Sequence, residues 1–231
     1  MQKVNAIILS AGKGTRMKSD VSKQYLIIDE KPILYYTLDA FQKSRVDDII
    51  VVTAMEDIEF VRRDIIEKYG FDKVREIVAG GKERYDSVIA GLEVMKDEDL
   101  VLIHDGARPL IMAEQIDGMI EEIKTCRACI AGMPVKDTIK IADENGMVKS
   151  TPDRKYVWQI QTPQAFEVSL IKSAYKKMKE NYDTTVTDDA MAVEKYTDEK
   201  IRLIEAGYEN IKITTPEDLL LMKEILDKRK Q

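Results

Sequence analysis

An α/β domain with a mainly parallel sheet, helices on both of its faces and one inserted β-hairpin arm is the fold class this sequence predicts. Three observations carry it. Short apolar runs of strand length alternate with longer segments whose apolar residues recur at helical spacing. The runs that end in chemically loaded loops do so at Ser10-Ala11-Gly12, Gly80-Gly81 and His104-Asp105-Gly106-Ala107-Arg108. The alternation breaks once, at Asp143-Glu144-Asn145-Gly146, whose Asn-Gly pair is a hairpin turn signal. Strands that alternate with helices need crossover connections, so they lie parallel and are covered on both faces.

The elements follow in order. Ala6–Leu9 is a buried strand by length and composition, and Pro32 opens a helix carrying Ile33, Leu34, Leu38 and Phe41. Ile49–Val52 is a second strand. Ile58, Val61, Ile65 and Tyr69 form a helical stripe that Asp57 should cap and Gly70 should end. Strand Glu76–Ala79, a helix with Val88, Leu92 and Met95, and strand Leu100–Ile103 come next. A helix over Glu114–Thr125 leads into strand Ile130–Met133. Thr138–Ala142 and Met147–Thr151 read as the two strands of the arm, too small a hairpin to be stable unless it leans on something, such as a second subunit. Helices near Phe166–Lys179 and over Asp188–Tyr196, strands Ile201–Glu205 and Asn210–Ile213, and a helix from Pro216 complete the chain. With no repeat, low-complexity segment or linker, this is one Rossmann-like domain over residues 1–231, with the arm at about 134–157. Ligands of such sheets lie beyond the carboxyl ends of the strands, where the loaded loops fall.

The 231 residues are 44% hydrophobic and 34% charged, enough for a sizeable core. A net charge of -6 argues against a general nucleic-acid binder. No apolar run reaches membrane-spanning length, and the one near the N-terminus is too short for a signal peptide, so the chain reads as cytoplasmic. Cys126 and Cys129 make a lone C-x-x-C, with one histidine, His104, elsewhere. That under-supplies a structural zinc site, and the pair follows a helix rather than opening one, so two buried cysteines are expected instead of a redox motif.

The stretch that organises the chain is Val4–Lys23. After the first strand, Ser10-Ala11-Gly12-Lys13-Gly14-Thr15-Arg16 combines small residues with cations, and Lys18 and Lys23 add two more. Backbone N–H groups in a glycine-rich turn can converge on an anion, which suits a polyphosphate. The spacing is not that of a Walker loop, and a dinucleotide fingerprint fails because its third small position holds Met17. Asp105 and Arg108, three apart after a strand, can both reach a pocket at the sheet edge. Arg108 suits a phosphate, and Asp105 a hydroxyl or a metal; a local salt bridge is the plainer alternative. Arg154, Trp158 and Thr162-Pro163-Gln164 form a second cluster. Thr187-Asp188-Asp189 reads as a helix cap, and Lys212 lies in an apolar run where it faces either inwards to a partner or outwards.

Taken together, AGKGTR, Lys23-Gln24-Tyr25, AGGKERYDSV, HDGARP, PVKDTIK, WQIQTPQAF, TDDA and NIKITTPEDL occur in this order over roughly Val4 to Leu219. The series closely resembles the 2-C-methyl-D-erythritol 4-phosphate cytidylyltransferase family of the non-mevalonate isoprenoid pathway. The resemblance implies an enzyme that joins CMP from CTP to that polyol phosphate and releases pyrophosphate. It implies that Ser10, Ala11, Gly12, Lys13, Gly14 and Thr15 wrap the triphosphate, with Arg16 and Lys23 at the reacting α-phosphate and Lys212 as a third catalytic cation. Gly81, Lys82 and Ser87 would meet the cytosine. Asp105, Arg108, Thr162, Thr187 and Lys212 would contact the polyol phosphate, with Asp105 also facing CTP. Thr138 and Arg154 would reach the partner's site in a homodimer formed through the arm. A Mg²⁺ ion bridging phosphate oxygens is expected, with Asp105 as a possible ligand.

Two positions depart from the family pattern: Lys82, where Asp is common, and Leu9-Ser10, where Pro-Ala is frequent. The nearest rival is a ribitol 5-phosphate cytidylyltransferase, against which GARP, Asp188-Asp189 and WQIQTPQ speak. A metal-dependent glycosyltransferase needs Asp-x-Asp at the end of a strand, whereas Asp97-Glu98-Asp99 precedes one. A nucleotide-sensing module would have no need of Lys23, Arg108 and Lys212 together.

Overall fold

The computed structural model describes residues 2–12 and 22–230. A seven-stranded sheet forms its centre, in the order β11-β7-β10-β6-β1-β4-β5. These strands are β1 (Val4–Ser10), β4 (Asp48–Thr53), β5 (Val74–Ala79), β6 (Leu100–Asp105), β7 (Ala128–Pro134), β10 (Trp158–Glu167) and β11 (Arg202–Glu205). Two short antiparallel pairs complete the set, β2 (Ile27–Ile28) with β3 (Lys31–Pro32) and β8 (Ile141–Ala142) with β9 (Val148–Ser150). β1, β4, β5 and β6 run parallel, as do β7 and β11, while β10 is antiparallel to both its neighbours.

The period of two along a strand sorts the core into two faces. On β1, Ala6 and Ile8 face one side, where α1 (Ile33–Lys43) brings Leu34, Leu38 and Phe41 and α4 (Ala113–Ile123) brings Ile116, Met119 and Ile120. Ile7 faces the other, against Val88 and Leu92 of α3 (Arg84–Glu93), Ile171 and Tyr175 of α5 (Val168–Glu180) and Val193 of α6 (Asp189–Tyr196). A third cluster seats α7 (Pro216–Arg229) through Met222 and Ile225 on Ile33, Leu110 and Ile213. No helix among the described residues is long and apolar enough to cross a membrane.

Four expectations need correction. Asp57 caps nothing. The helical stretch opens one turn earlier, at Met55, runs as α2 (Ile58–Phe60) and continues in π form over Val61–Glu67, so Asp57 already lies inside it and its carboxylate accepts from the Tyr25 hydroxyl at 3.1 Å. Gly70 does end the stretch, with φ +67°. Phe166 belongs to β10 and not to a helix. This strand hides in the sequence because Pro163 removes a ladder donor, and the sheet accommodates it at a register shift between Ile160 and Gln164. Asn210–Ile213 does not join the sheet; Asn210 is held by its side chain, which donates to Gln161 Oε1 and to the Thr162 carbonyl. The arm's strands are shorter than expected, so Thr138 lies outside them.

Asp99 sits at the opposite end of β6 from the loaded loops, where it accepts from the backbone of Lys3 and the side chain of Asn5. Cys129 is buried in β7, where burial first and Cys126 second push its thiol well above the usual range; both cysteines are free.

Candidate active site

The carboxyl ends of β1, β5 and β6 open onto one cavity of about 230 Å³. Its floor is Ser10, Ala11 and Gly12 after β1, its walls are Gly81 to Arg84 with Ser87, and Asp105, Lys23 and Lys212 close it. Glycine is required where β5 turns into α3. A Cβ on Gly80 would lie 2.5 Å from the Ala11 Cβ and 2.8 Å from Ser87 Oγ, so any side chain would push the loop after β1 away from the turn between β5 and α3. Ser87 Oγ in turn accepts from the Gly81 N–H at 3.2 Å. The Asp86 carboxylate accepts from the Glu83 N–H at 3.1 Å and so caps α3, whose first residues line the cavity.

Lys23 is set by its neighbours. It opens a short 3₁₀ turn, Lys23–Tyr25, in which Gln24 Nε2 donates to the Ser10 carbonyl at 2.6 Å and the Tyr25 hydroxyl pairs with Thr53 at 2.8 Å. Lys23 Nζ donates to the Ile213 carbonyl at 3.1 Å. The turn is thereby tied to β1, β4 and the segment before α7.

Asp105 is the centre of charge. Its side chain is 10% exposed, and Lys212 Nζ stands 2.8 Å from Oδ2. Arg108 Nε is 3.6 Å from that oxygen and Arg84 Nε is 3.7 Å from Oδ1. Burial opposes ionisation, but Arg84, Lys212 and Arg108 outweigh it and hold the carboxyl well below its usual range. The same burial lowers the Arg108 guanidinium from its ordinary value, against the pull of Asp105. Arg108 Nη1 donates to the Asn210 carbonyl, while Nε has no hydrogen-bond partner.

His104 is fully buried one residue before Asp105. Its Nε2 lies 3.1 Å from the Arg108 carbonyl, which can only accept, so Nε2 carries the proton. Nδ1 then accepts from the Thr162 hydroxyl at 3.1 Å, and Thr162 Oγ1 accepts from the Asp105 N–H at 3.0 Å. This bracket fixes the turn that presents Asp105. Burial pushes the His104 imidazole down to about 4. A base depressed in the folded state favours unfolding where only the unfolded chain is protonated. Stability from neutral His104 is therefore complete above about pH 6.5 and lost on descending towards about pH 4, some ~3 kcal/mol in all. Urea unfolding across that window should show this loss, and His104→Gln, with no proton to take up, should reduce it; equal slopes in the two proteins would contradict the account.

The structure thus brings Ser10, Ala11, Gly12, Lys23, Gly81, Lys82, Ser87, Asp105 and Lys212 around one cavity. Arg108 and Thr162 stand behind it, holding Asp105. Thr187 is exposed on the approach to α6, and Thr138 and Arg154 lie on the exposed arm, where Arg154 donates to the Lys136 carbonyl at 2.7 Å. None of these three lines the cavity. Lys13, Gly14, Thr15 and Arg16 fall outside the described residues. Sequence reasoning missed Arg84 and Gln24, which line the cavity, and the buried Asp189 behind Arg84. Arg84 stands inside the quoted AGGKERYDSV block, two residues after Lys82, but nothing local says that its partner is a carboxylate 105 positions later.

Known proteins resemble this chain along almost its whole length. The sequence profile described as 2-C-methyl-D-erythritol 4-phosphate cytidylyltransferase matches residues 4–228. A protein of that name from Lachnoclostridium phytofermentans is 52% identical over 226 residues, 98% of this chain and 97% of that protein. One from Lachnospira eligens is 51% identical over 216 residues, 93% and 95% of the respective chains. The crystal structure of 4-diphosphocytidyl-2C-methyl-D-erythritol synthase from Anaerococcus prevotii superposes with a TM-score of 0.87 at 36% identity, covering 98% of this chain and 96% of that one. With a match that runs nearly end to end and takes in every loop of the cavity, the chain belongs to the 2-C-methyl-D-erythritol 4-phosphate cytidylyltransferase family.

Proposed function

We infer that this chain transfers CMP from CTP to 2-C-methyl-D-erythritol 4-phosphate, giving 4-diphosphocytidyl-2-C-methyl-D-erythritol and pyrophosphate. The observation that carries the chemistry is the charge of the cavity. Lys23, Lys82, Arg84 and Lys212 line it and Arg108 stands behind, and of its two carboxylates, Glu83 and Asp105, the buried one is Asp105, which faces Arg84, Arg108 and Lys212. His104, nearest in type to a general base, is buried with both ring nitrogens engaged. A phosphate monoester needs no base, because its oxygen is already anionic at neutral pH. That oxygen forms a bond to the α-phosphorus of CTP while the bond from this phosphorus to the β-bridging oxygen breaks, and pyrophosphate leaves with the electron pair. The barrier is the approach of two anions, which fixed cations and positioning lower.

In this reading the loop from Ser10 to Arg16 holds the triphosphate, Arg16 and Lys23 stabilise charge at the α-phosphate, and the end of α3 receives the base through Gly81, Lys82 and Ser87. Lys212, with Arg108 behind it, draws in the polyol phosphate, and Thr187 borders its approach. Mg²⁺ would be held by phosphate oxygens and water, and Asp105 would have to exchange its contact with Lys212 to become a ligand. When bound, the ion neutralises phosphate charge. Pyrophosphate release from CTP that depends on the polyol phosphate tests the reading, and its absence would overturn it. A cytoplasmic setting goes with the use of CTP.

The same reading includes a homodimer. Residues 140–151 are exposed throughout, and the arm presents Ile141, Met147, Val148 and Tyr156 to solvent. A two-stranded hairpin gains little stability alone, and such apolar residues suit cover by a second copy. Thr138 and Arg154 would then serve the partner's cavity. Mixing inactive Arg154→Ala with inactive Lys23→Ala should restore activity, since a mixed dimer has one site with both residues intact. No recovery after confirmed subunit exchange would remove Arg154 from the partner's site.

A further inference from the structure

Arg84 begins α3 at the wall of the cavity, and its guanidinium faces two ways. Nη1 and Nη2 donate to the two oxygens of Asp189 at 2.8 and 2.7 Å, a bidentate fork. Asp189 is fully buried at the start of α6, and the hydroxyl of the buried Tyr175, on α5, donates to its Oδ1. Gln164 of β10 fixes the same helix end, accepting from the Ala190 N–H and donating to Asp188, both at 2.9 Å. A guanidinium is planar, so pinning two nitrogens fixes the direction of the third. That third nitrogen, Nε, faces Asp105 Oδ1 at 3.7 Å, while Lys212 and Arg108 face Oδ2.

We propose that Arg84 is a positioning residue for Asp105, locked from behind by Asp189 and Tyr175, so that one carboxylate oxygen is held inwards and the other is kept towards Lys212 and the incoming polyol phosphate. This rests on the reading of the cavity given above. Lys212 and Arg108 cannot do the same. Lys212 is a flexible point charge, 38% exposed, and Arg108 reaches Asp105 only through the oxygen that Lys212 already takes. A buried ion pair is in itself weak evidence of a stabilising role, because an apolar pair of similar volume often serves stability as well. Here the pair joins the N-termini of α3 and α6 to the charged centre of the cavity, three parts of the chain that the sheet alone does not bring into register.

The test uses the full chain. Arg84→Lys keeps the charge but loses the fork, and should lower kcat/KM for 2-C-methyl-D-erythritol 4-phosphate about 10- to 100-fold, the cost of misplacing a group by about an ångström, with KM for CTP little changed. Tyr175→Phe, which keeps the buried ring, should lower it in the same direction by a smaller factor. A purely structural clamp would lower the melting temperature of both variants and leave their kinetics at the wild-type level, which would overturn the proposal. A second measurement needs no activity. In protein labelled with ¹⁵N at arginine Nε, Asp105→Asn should move the Arg84 Nε–H signal, and Tyr175→Phe should speed its exchange with water. A signal indifferent to Asp105→Asn would also overturn the proposal. A wild type inert towards CTP and the polyol phosphate would overturn the functional reading instead, and the arginine signal would then decide this one alone.

Discussion

With CTP saturating, ribitol 5-phosphate is expected to be converted about 10⁴-fold less efficiently than 2-C-methyl-D-erythritol 4-phosphate. The reason lies in how polar cavities reject. One methyl in an apolar pocket discriminates by roughly 10- to 200-fold, whereas a site built to hydrogen-bond particular hydroxyls leaves buried groups unpaired when the wrong polyol enters. Asp105 is such a group: with Oδ1 facing Arg84, it has Oδ2, beside Lys212, to offer a hydroxyl. A polyol whose hydroxyl misses that oxygen would strip it of water and leave Lys212 as its close donor. The measurement is kcat/KM for each polyol phosphate by pyrophosphate release. Equal or faster turnover of ribitol 5-phosphate would overturn the substrate assignment and leave cytidylyl transfer in place.

Replacing Lys23 by Ala should lower kcat about 10²- to 10³-fold, the usual loss when one donor to a developing charge is removed. The structure makes the residue a prepared donor rather than a drifting surface lysine, because Gln24 and Tyr25 anchor its turn to Ser10 and Thr53. Substrate binding should suffer less than turnover, since the charge that moves towards the departing pyrophosphate is met in the transition state and not in the bound ground state. Folding should suffer less than turnover: the bond lost to the Ile213 carbonyl is one hydrogen bond, a cost of about 1 to 3 kcal/mol. Arg16→Ala is expected to behave alike. Single-turnover kinetics beside a thermal melt would check both; near-normal turnover in the Lys23 variant would remove it from the α-phosphate.

Much of this protein was legible along the chain because its signals are local. Residue patterning marked the parallel strands β1, β4 and β6 by near-continuous apolar runs, as a strand buried on both faces requires, and the edge strand β5 by the shorter run Ile77–Ala79 before Gly80-Gly81. Gly70 marked a helix end because a positive φ favours glycine. The loops at Ser10, Gly80 and Asp105 belong to one sheet edge because parallel strands put their carboxyl ends together. What failed was also local reasoning. Pro163 disguised β10, and Asp57 was taken for a cap although the helix begins before it. Asn210–Ile213 has a strand's composition but is held by side chains.

Only the tertiary structure decided who pairs with whom across the cavity. Asp105 and Arg108 are near neighbours in sequence, and their proximity was foreseeable. That Lys212 completes the pair, that Arg84 faces Asp105 with Asp189 behind it, and that Thr162 and His104 brace the same turn from β10 and β6 could not be read from spacing. Side-chain chemistry is written in the sequence, but an ion pair between residues about a hundred positions apart exists only once the sheet has set its strand order. Amphipathic periodicity specifies which face a residue takes, not which distant residue meets it there. The sequence by itself therefore determined the fold class, the sheet edge at which the charged and glycine-rich loops gather and the family; the charge network inside the cavity was decided by packing.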